Sequence, residues 1–579
     1  MTTHMPRRAA ITVAVLCLAL GGCAGVATKS ADRAALAPLI DDNQASAYGK
    51  FLAGQAAVNR DDTASAETYF TAAARLDPGD DRGRLTARAF TSALLTGDIA
   101  RAAQLAPGPD EDDKTLVHLG ALAKAVVAMS AGKAKLAHEI LVSRDSGAPN
   151  EPAVALLTPY AAAAAGDAAA SIIHPVLQGQ PVAQFFASLD QGELFERAHR
   201  FEEAETAYRS MIAKGDPGGA ASLRLGQMFE RKRRFADALN IYDAALGRTP
   251  GDGDLTRARA RATAHGPAPK LPPLHESAAE AILAAASGLM VDKHNEISLA
   301  YLRLALKLDP SRDEAWILVG DILAQGADQA GARAAYAQVT PASGQYVVAR
   351  SKLAWNLQDE GDKDAALATA RDVASRVPNS KEAQITLADL YRADELYDDS
   401  RKVLNGLIGD KPEQADWKLL YLRATDEEET DHWDDAEKDL KLALIARPNE
   451  AELLNFLGYS WIDRGVNLTE AMAMVQRAVH LQPDSGAIID SLGWGYFRMG
   501  DFAEAVSNLE RAAVLEPGDP DVNNHLGDAY WRVGRRDEAV FQWRRVLTLD
   551  PSPKLKAEVE GKIASGLAPR DAGKKVASN

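Results

Sequence analysis

His525 and Asp528, three residues apart in NHLGDAYW, come nearest in this sequence to a general base with a carboxylate beside it. The acidic run from Asp426 to Asp435, DEEETDHWDD, comes nearest to a metal site. Each has a simpler reading. A histidine inside a repeated helical phrase is expected on the surface of its helix. A charge run is expected to fill a solvated, enlarged turn between helices, and a metal would need a tighter ligand arrangement. Cys17 and Cys23 are the only cysteines, so beyond residue 23 no disulfide, thiolate–metal site or cysteine nucleophile is available. Phosphate-loop, dinucleotide, zinc-protease, serine-elbow and calcium-loop motifs are missing, and no two histidines stand at helical ligand spacing. The sequence therefore predicts no catalytic residue, no metal and no cofactor. It reads as a protein that is not an enzyme.

The elements that position these residues come from a phrase that recurs between Glu452 and Pro551. A small residue opens each second helix at Ala471, Ala505 and Ala539. Val475, Leu509 and Trp543 follow, then Ala478, Ala512 and Val546, and each unit closes at Pro483, Pro517 or Pro551. Proline lacks an N–H and cannot continue a helix, so each unit turns there. Leu492-Gly493 with Tyr496, and Leu526-Gly527 with Tyr530, put a large, a small and an aromatic residue on one face of the first helix. The period is 34 residues. In period and residue pattern this resembles the tetratricopeptide repeat (TPR) family.

That resemblance implies an all-α fold: a superhelical solenoid of antiparallel helix pairs, here in two arcs, with a concave groove. It also implies which first-helix positions face the groove, namely Asn455, Tyr459, Asp490, Trp494, Phe497, Asn524, Asp528 and Trp531. Aromatic anchors between Asn and Asp side chains would suit a bound protein segment or peptide. The competing reading has Trp494 and Trp531 packing between neighbouring helices. The carboxylate clamp of chaperone-binding TPRs does not carry over, because Asp490, Asn524, Trp494 and Asp528 occupy its positions. Arg532, Arg535, Arg536, Arg544 and Arg545 give the last repeat a basic rim, to dock an acidic partner or to neutralise the end of the array.

The same signature appears at Ala66, Phe70, Ala73 and Pro78, fades from 81 to about 184, and returns at Ala204, Tyr208 and Met211. HGPAPKLPPLHE, residues 265–276, interrupts it with four prolines, a semi-rigid segment expected to separate the two arcs. The expected organisation is N-terminal degenerate and regular TPR helices over 47–264, the linker at 265–276, a C-terminal array over 277–565 and a disordered tail from 566. A chain of 579 residues exceeds one ordinary core, as an array should. A net charge of −16 argues against nucleic acid as a partner.

At the N-terminus Arg7 and Arg8 precede an apolar run that ends at Cys23, too short to span a membrane but suited to a signal peptide over residues 1–22. Leu20, Gly21, Gly22 and Cys23 resemble the lipobox of bacterial lipoproteins. That resemblance implies lipidation of Cys23, a tether over 23–46, and a membrane anchor. Ala24 after the cysteine favours the outer membrane, with the chain on the periplasmic face. Lipobox, repeat array and the phrases LNFLGYSWIDRG, DSLGWGYFRMG and NNHLGDAYWRVG together resemble the LbcA- and NlpI-type outer-membrane lipoproteins. That family implies an adaptor that binds a periplasmic C-terminal-processing protease and brings it substrates such as cell-wall hydrolases. The alternatives are an assembly or stability factor for secretion, pilus or exopolysaccharide export machinery, and a wall-polymer hydrolase with carboxylates hidden in the groove.

Overall fold

The computed structural model describes residues 46–58, 62–76, 82–109, 111–147, 151–177, 179–291 and 295–568. The predicted signal peptide, Cys23, the tether up to residue 45, and residues 569–579 of the tail lie outside them. Among the described residues there are thirty α-helices, from α1 (Ala47–Val58) to α30 (Pro553–Ser565), and no strand. None of these helices is long and apolar enough to cross a membrane. The chain divides into two compact units, one ending at Glu360 and one beginning at Gly361.

The C-terminal unit follows the repeat closely. Its pairs are α20 (Lys381–Ala393) with α21 (Tyr397–Ile408), α22 (Trp417–Glu429) with α23 (Trp433–Ala446), and α24 (Ala451–Arg464) with α25 (Leu468–Leu481). Then come α26 (Gly486–Met499) with α27 (Phe502–Leu515), α28 (Pro520–Arg532) with α29 (Arg536–Val546), and α30. The residues that set the register, Ala471, Val475, Ala478, Ala505, Leu509, Ala512, Ala539, Trp543 and Val546, are all 0% exposed. The first-helix glycines make this packing possible. A Cβ added at Gly493 would stand 2.6 Å from Leu509 Cγ, and one at Gly527 2.6 Å from Trp543 Cδ1. Both are well inside contact distance, so a larger residue would push the paired helices apart.

In the N-terminal unit the first pair, α1 with α2 (Thr63–Leu76), buries Ala66, Phe70 and Ala73 in the predicted register. The signature then fades because the second helix of each pair shrinks. First helices α3 (Arg82–Thr96), α5 (Lys114–Ser130) and α7 (Pro152–Ala165) keep 15, 17 and 14 residues. Their partners α4 (Ile99–Leu105), α6 (Ala134–Leu141) and α8 (Ala168–Ser171) have only 7, 8 and 4. Regular pairs resume with α9 (Pro181–Arg197) and α10 (Phe201–Ala213), and with α11 (Ala220–Arg231) and α12 (Phe235–Arg248), followed by α13 (Gly253–Thr263).

The expected boundary at 265–276 is not where the units part. After α13 the proline-rich segment runs as a non-helical strap to α14 (Leu274–Val291), which pairs with α15 (Asn295–Leu308). This hairpin packs back onto the first helices of earlier pairs, α14 on α7 and α9 and α15 on α5 and α3. Composition explains why it fits. Ala278, Ala279, Ala281, Ile282, Ala284, Ala285 and Ala286 are buried over more than half of the circumference of α14, and Glu280, Leu283 and Ser287 on the remaining side are half-buried. At the far end Arg303 on α15 donates Nε to the carbonyl of Leu95, in the last turn of α3, at 3.1 Å. The inner face of this arc is thus filled by the chain itself. Helices α16 (Asp313–Gln325), α17 (Gln329–Ala337) and α18 (Tyr346–Asp359) complete the unit.

Candidate functional site

In the C-terminal unit α24, α26 and α28 stand side by side as the first helices of successive pairs. Trp494 on α26 is half-buried and stacks on Phe497, ring centroids 4.8 Å apart, and on His525 of α28, 4.2 Å apart. Its Nε1 points at Asp463 Oδ1 on α24, 3.4 Å away, and Arg498 Nη1 donates to the Asp463 carbonyl at 2.8 Å. Phe497 and Asn455 are also half-buried, whereas Tyr459 and Asp490 are buried. Asp463 and Arg498 were not singled out from sequence. Both sit at the last groove-facing position of their helix, so the repeat register itself contained the signal.

His525 is not the surface residue expected. It is 7% exposed, and its Nδ1 lies 2.9 Å from one Asp490 oxygen and 3.0 Å from the other. The histidine–carboxylate pair therefore exists, but with Asp490 across a helix interface and not with Asp528. Closed under Trp494, it braces α26 against α28.

Asn524, Asp528 and Trp531 do not face an open groove. Lys562 on α30 donates to Asn524 Oδ1 at 2.9 Å and to Asp528 Oδ2 at 2.8 Å, and Trp543 Nε1 donates to Asp528 Oδ1 at 3.0 Å. Gly566 lies against the Trp531 ring, whose other neighbours are Trp543 and Arg536. Helix α30, after the last matched repeat, thus covers the inner face of α28 as a capping helix does. Lys562 lies outside the 34-residue period, so nothing in the repeat pointed to it. The basic rim is also largely engaged. Arg535 pairs with Glu510 and Glu538, and Arg545 donates to the carbonyl of Pro517 at 2.8 Å.

The acidic run is not an enlarged turn. Asp426 to Glu429 complete α22 and Trp433 to Asp435 begin α23, which leaves only Thr430 to His432 between them. Arginines on neighbouring helices take up the charge. Arg392 Nε lies 2.9 Å from Asp426, Arg464 binds Glu428 through both oxygens, and Arg423, on α22 itself, lies 3.7 Å from Glu427. Among the described residues no group of His, Cys, Asp or Glu is arranged to hold a metal ion.

A second charged network fixes the hairpin in the N-terminal unit. Arg224 on α11 lies 2.8 Å from Glu193 and 3.8 Å from Asp190, both on α9, and 2.6 Å from Glu280 on α14. Glu193 also accepts from Arg197 at 2.6 Å and from Ser277 Oγ at 2.7 Å.

Burial raises three of these carboxyls: Asp190 to about 8 against the pull of Arg224, and Asp426 and Glu427 to about 7. Unfolded, each would ionise near its ordinary value of about 4. Between about pH 4 and pH 8 the folded chain therefore binds more protons than the unfolded one, and stability falls as pH rises through that window. The expected outcome is a melting temperature that declines from about pH 5 to about pH 8, with a shallower decline in Asp190→Asn combined with Asp426→Asn. An unchanged slope in the double variant would show that these carboxyls ionise normally.

Comparison with known proteins agrees with this fold. The tetratricopeptide-repeat family model matches residues 189–264, 351–415, 421–486 and 491–553. A TPR repeat-containing protein of Pseudomonas aeruginosa is 38% identical over 95 residues, which is 16% of this chain and 16% of that protein. The matched stretch is therefore a small part of the relative's length. Among solved structures, a tetratricopeptide repeat protein from Parabacteroides merdae covers 44% of this chain at 16% identity, with 98% of its own length aligned and a TM-score of 0.38. The Cut9–Hcn1 hetero-tetramer of the APC/C covers 90% of this chain, with 96% of its own length aligned, at 14% identity and a TM-score of 0.37. MamA covers 30%, with 97% of its own length aligned, at 23% identity and a TM-score of 0.24. The four matched stretches and the helix-pair packing make this chain an all-α TPR solenoid. Repeats of this kind bind proteins or peptides and are in general non-catalytic scaffolds.

Proposed function

We propose that this chain is a non-enzymatic scaffold that holds protein segments along the inner face of the C-terminal repeats, and that it serves as an adaptor for a periplasmic C-terminal-processing protease and its cell-wall hydrolase substrates. The observation that carries the scaffold reading is the contrast between the two inner faces. In the N-terminal unit α14 and α15 lie across the first helices. In the C-terminal unit, among the described residues, no helix lies in this way across α24 and α26, and Trp494 and Phe497 keep part of their ring surface free. Partly exposed aromatic rings held rigidly by stacking are efficient anchors for a partner. The adaptor role is supported by the lipobox resemblance at Cys23 and by the C-terminal phrases. An anchored scaffold that binds protease and substrate together raises their effective concentration without new chemistry.

Affinity capture from the native membranes, with mass spectrometry of the co-purifying proteins, tests the adaptor. Recovery of a C-terminal-processing protease with wall hydrolases supports it. Recovery of export or polymer-assembly subunits without a protease replaces it with the assembly-factor reading. Cys23→Ala should release the chain from the membrane fraction. Trp494→Ala with Phe497→Ala should weaken partner capture by about 2 kcal/mol, roughly thirtyfold. Undiminished capture by that double variant would move the binding surface elsewhere.

A further inference from the structure

The N-terminal unit carries a cleft of about 670 Å³ that the scaffold reading does not use. It opens where the C-terminal ends of α7, α9 and α11 meet the strap between α13 and α14. Ala163, Ala198, Leu271 and Leu274 make it partly apolar, and its charged lining is Arg197, His199, Arg231 and Lys232 against Glu196 alone. In a chain of net charge −16 this balance stands out.

The four basic residues are not equivalent. Arg231 is taken up by both oxygens of Glu196 and by the Pro269 carbonyl. Arg197 is taken up by Glu193 and by the Pro272 carbonyl. These two arginines fasten the strap to the helix ends. Lys232 has no ion pair among the described residues. Its ammonium sits over the Phe201 ring, 3.1 Å from the centroid, and the His199 ring stands 5.9 Å from the same ring. An aromatic ring thus carries one cationic and one titratable group at the mouth of a partly apolar recess.

We propose that this cleft is a second binding site, which takes a short peptide segment presenting a carboxylate beside an apolar side chain. Lys232, steadied over Phe201, receives the carboxylate, and Leu271, Leu274 and Ala163 receive the neighbouring apolar group. A concave recess with one unpaired ammonium suits a single carboxylate. A membrane surface or a nucleic-acid backbone calls for many cations on an open face.

The test uses the purified chain and three fluorescein-labelled pentapeptides of sequence Ala-Leu-Ala-Leu-X, followed by anisotropy at low salt. In one X is leucine with a free C-terminus, in the second it is leucine amide, and in the third glutamic acid α-amide. The expected result is that at least one carboxylate peptide binds about tenfold more tightly than the neutral amide. Which of the two binds tells a terminal from a side-chain carboxylate. Lys232→Glu should abolish the preference and Lys232→Arg should keep it. Lys270→Glu, the same charge change on the strap outside the cleft lining, should leave it intact. Equal binding of acid and neutral peptides, no binding up to about 1 mM, or an unchanged preference in Lys232→Glu would each overturn the proposal. Because none of these outcomes involves Trp494 or Phe497, the result is independent of the C-terminal groove.

Discussion

Arg224→Ala is expected to destabilise the N-terminal unit by about 3–5 kcal/mol, the usual cost of removing one partner from a buried charge network. Arg224 stands between three acidic side chains, two of them almost fully buried: Glu193, which it shares with Arg197, is 4% and Asp190 6% exposed at the side chain. Without it, Glu280 loses its tie to α11 and α14 loses a main point of attachment. Hydrogen exchange of the intact chain provides the check. Amides of α14 and α15 should lose protection first, while those from Gly361 onward keep theirs. Arg224→Lys should recover only part of the loss, since one ammonium cannot reproduce a guanidinium that serves separate acceptors from different nitrogens. Unchanged protection of α14 and α15 would mean that the hairpin is held by apolar burial alone.

Trp543→Ala should have an effect of the same order at the other end, about 3–5 kcal/mol. Trp543 is the largest fully buried side chain and fills the space that Gly527 leaves between α28 and α29. Its indole N–H is also one of the two donors that satisfy buried Asp528. The substitution therefore opens a cavity and removes a hydrogen bond together. Near-ultraviolet circular dichroism and limited proteolysis should report loosening confined to 520–565, with α30 released first because Lys562 depends on the same Asp528. Trp543→Phe should do less harm, losing the N–H but little volume.

What was legible in the sequence follows from what repeats. Wherever the second helix is full length, the positions of Ala471, Val475, Ala478 and their equivalents gave register, pairing and core, because the same packing problem recurs every 34 residues. Where α4, α6 and α8 shrink, nothing in the period said what would replace the lost contacts. The answer came from α14, more than a hundred residues later. Its alanine-rich sequence read as another repeat, and the prolines before it read as a separator. Those prolines instead give the chain an extended crossing, held by Arg197 and Arg231.

The candidate site was readable to a similar degree. Trp494, Phe497 and Asn455, which position counting assigned to the groove, are half-buried on α24 and α26. Asn524, Asp528 and Trp531 are covered by a helix that belongs to no repeat. His525 and the Asp426 run were misread for one reason. Their partners, Asp490, Arg392 and Arg464, stand about one repeat away, at distances that local sequence does not show.

The docked hairpin also determines how each unit can fold. From Gly361 onward nearly every contact joins neighbouring helices, so structure can start in any pair and propagate. The hydrogen bond from Arg303 to Leu95 closes a separation of 208 residues, and the contacts of α14 with α7 and α9 close others of the same kind. Such loops must be paid for in chain entropy before any burial is gained. In refolding from denaturant the C-terminal repeats should therefore recover in a fast phase, followed by a slower phase in which the early helices wait for their missing inner layer. During synthesis the same order of events leaves α3 to α9 with an open apolar face until residue 308 has emerged, which makes that interval the one in which the nascent chain most needs a chaperone.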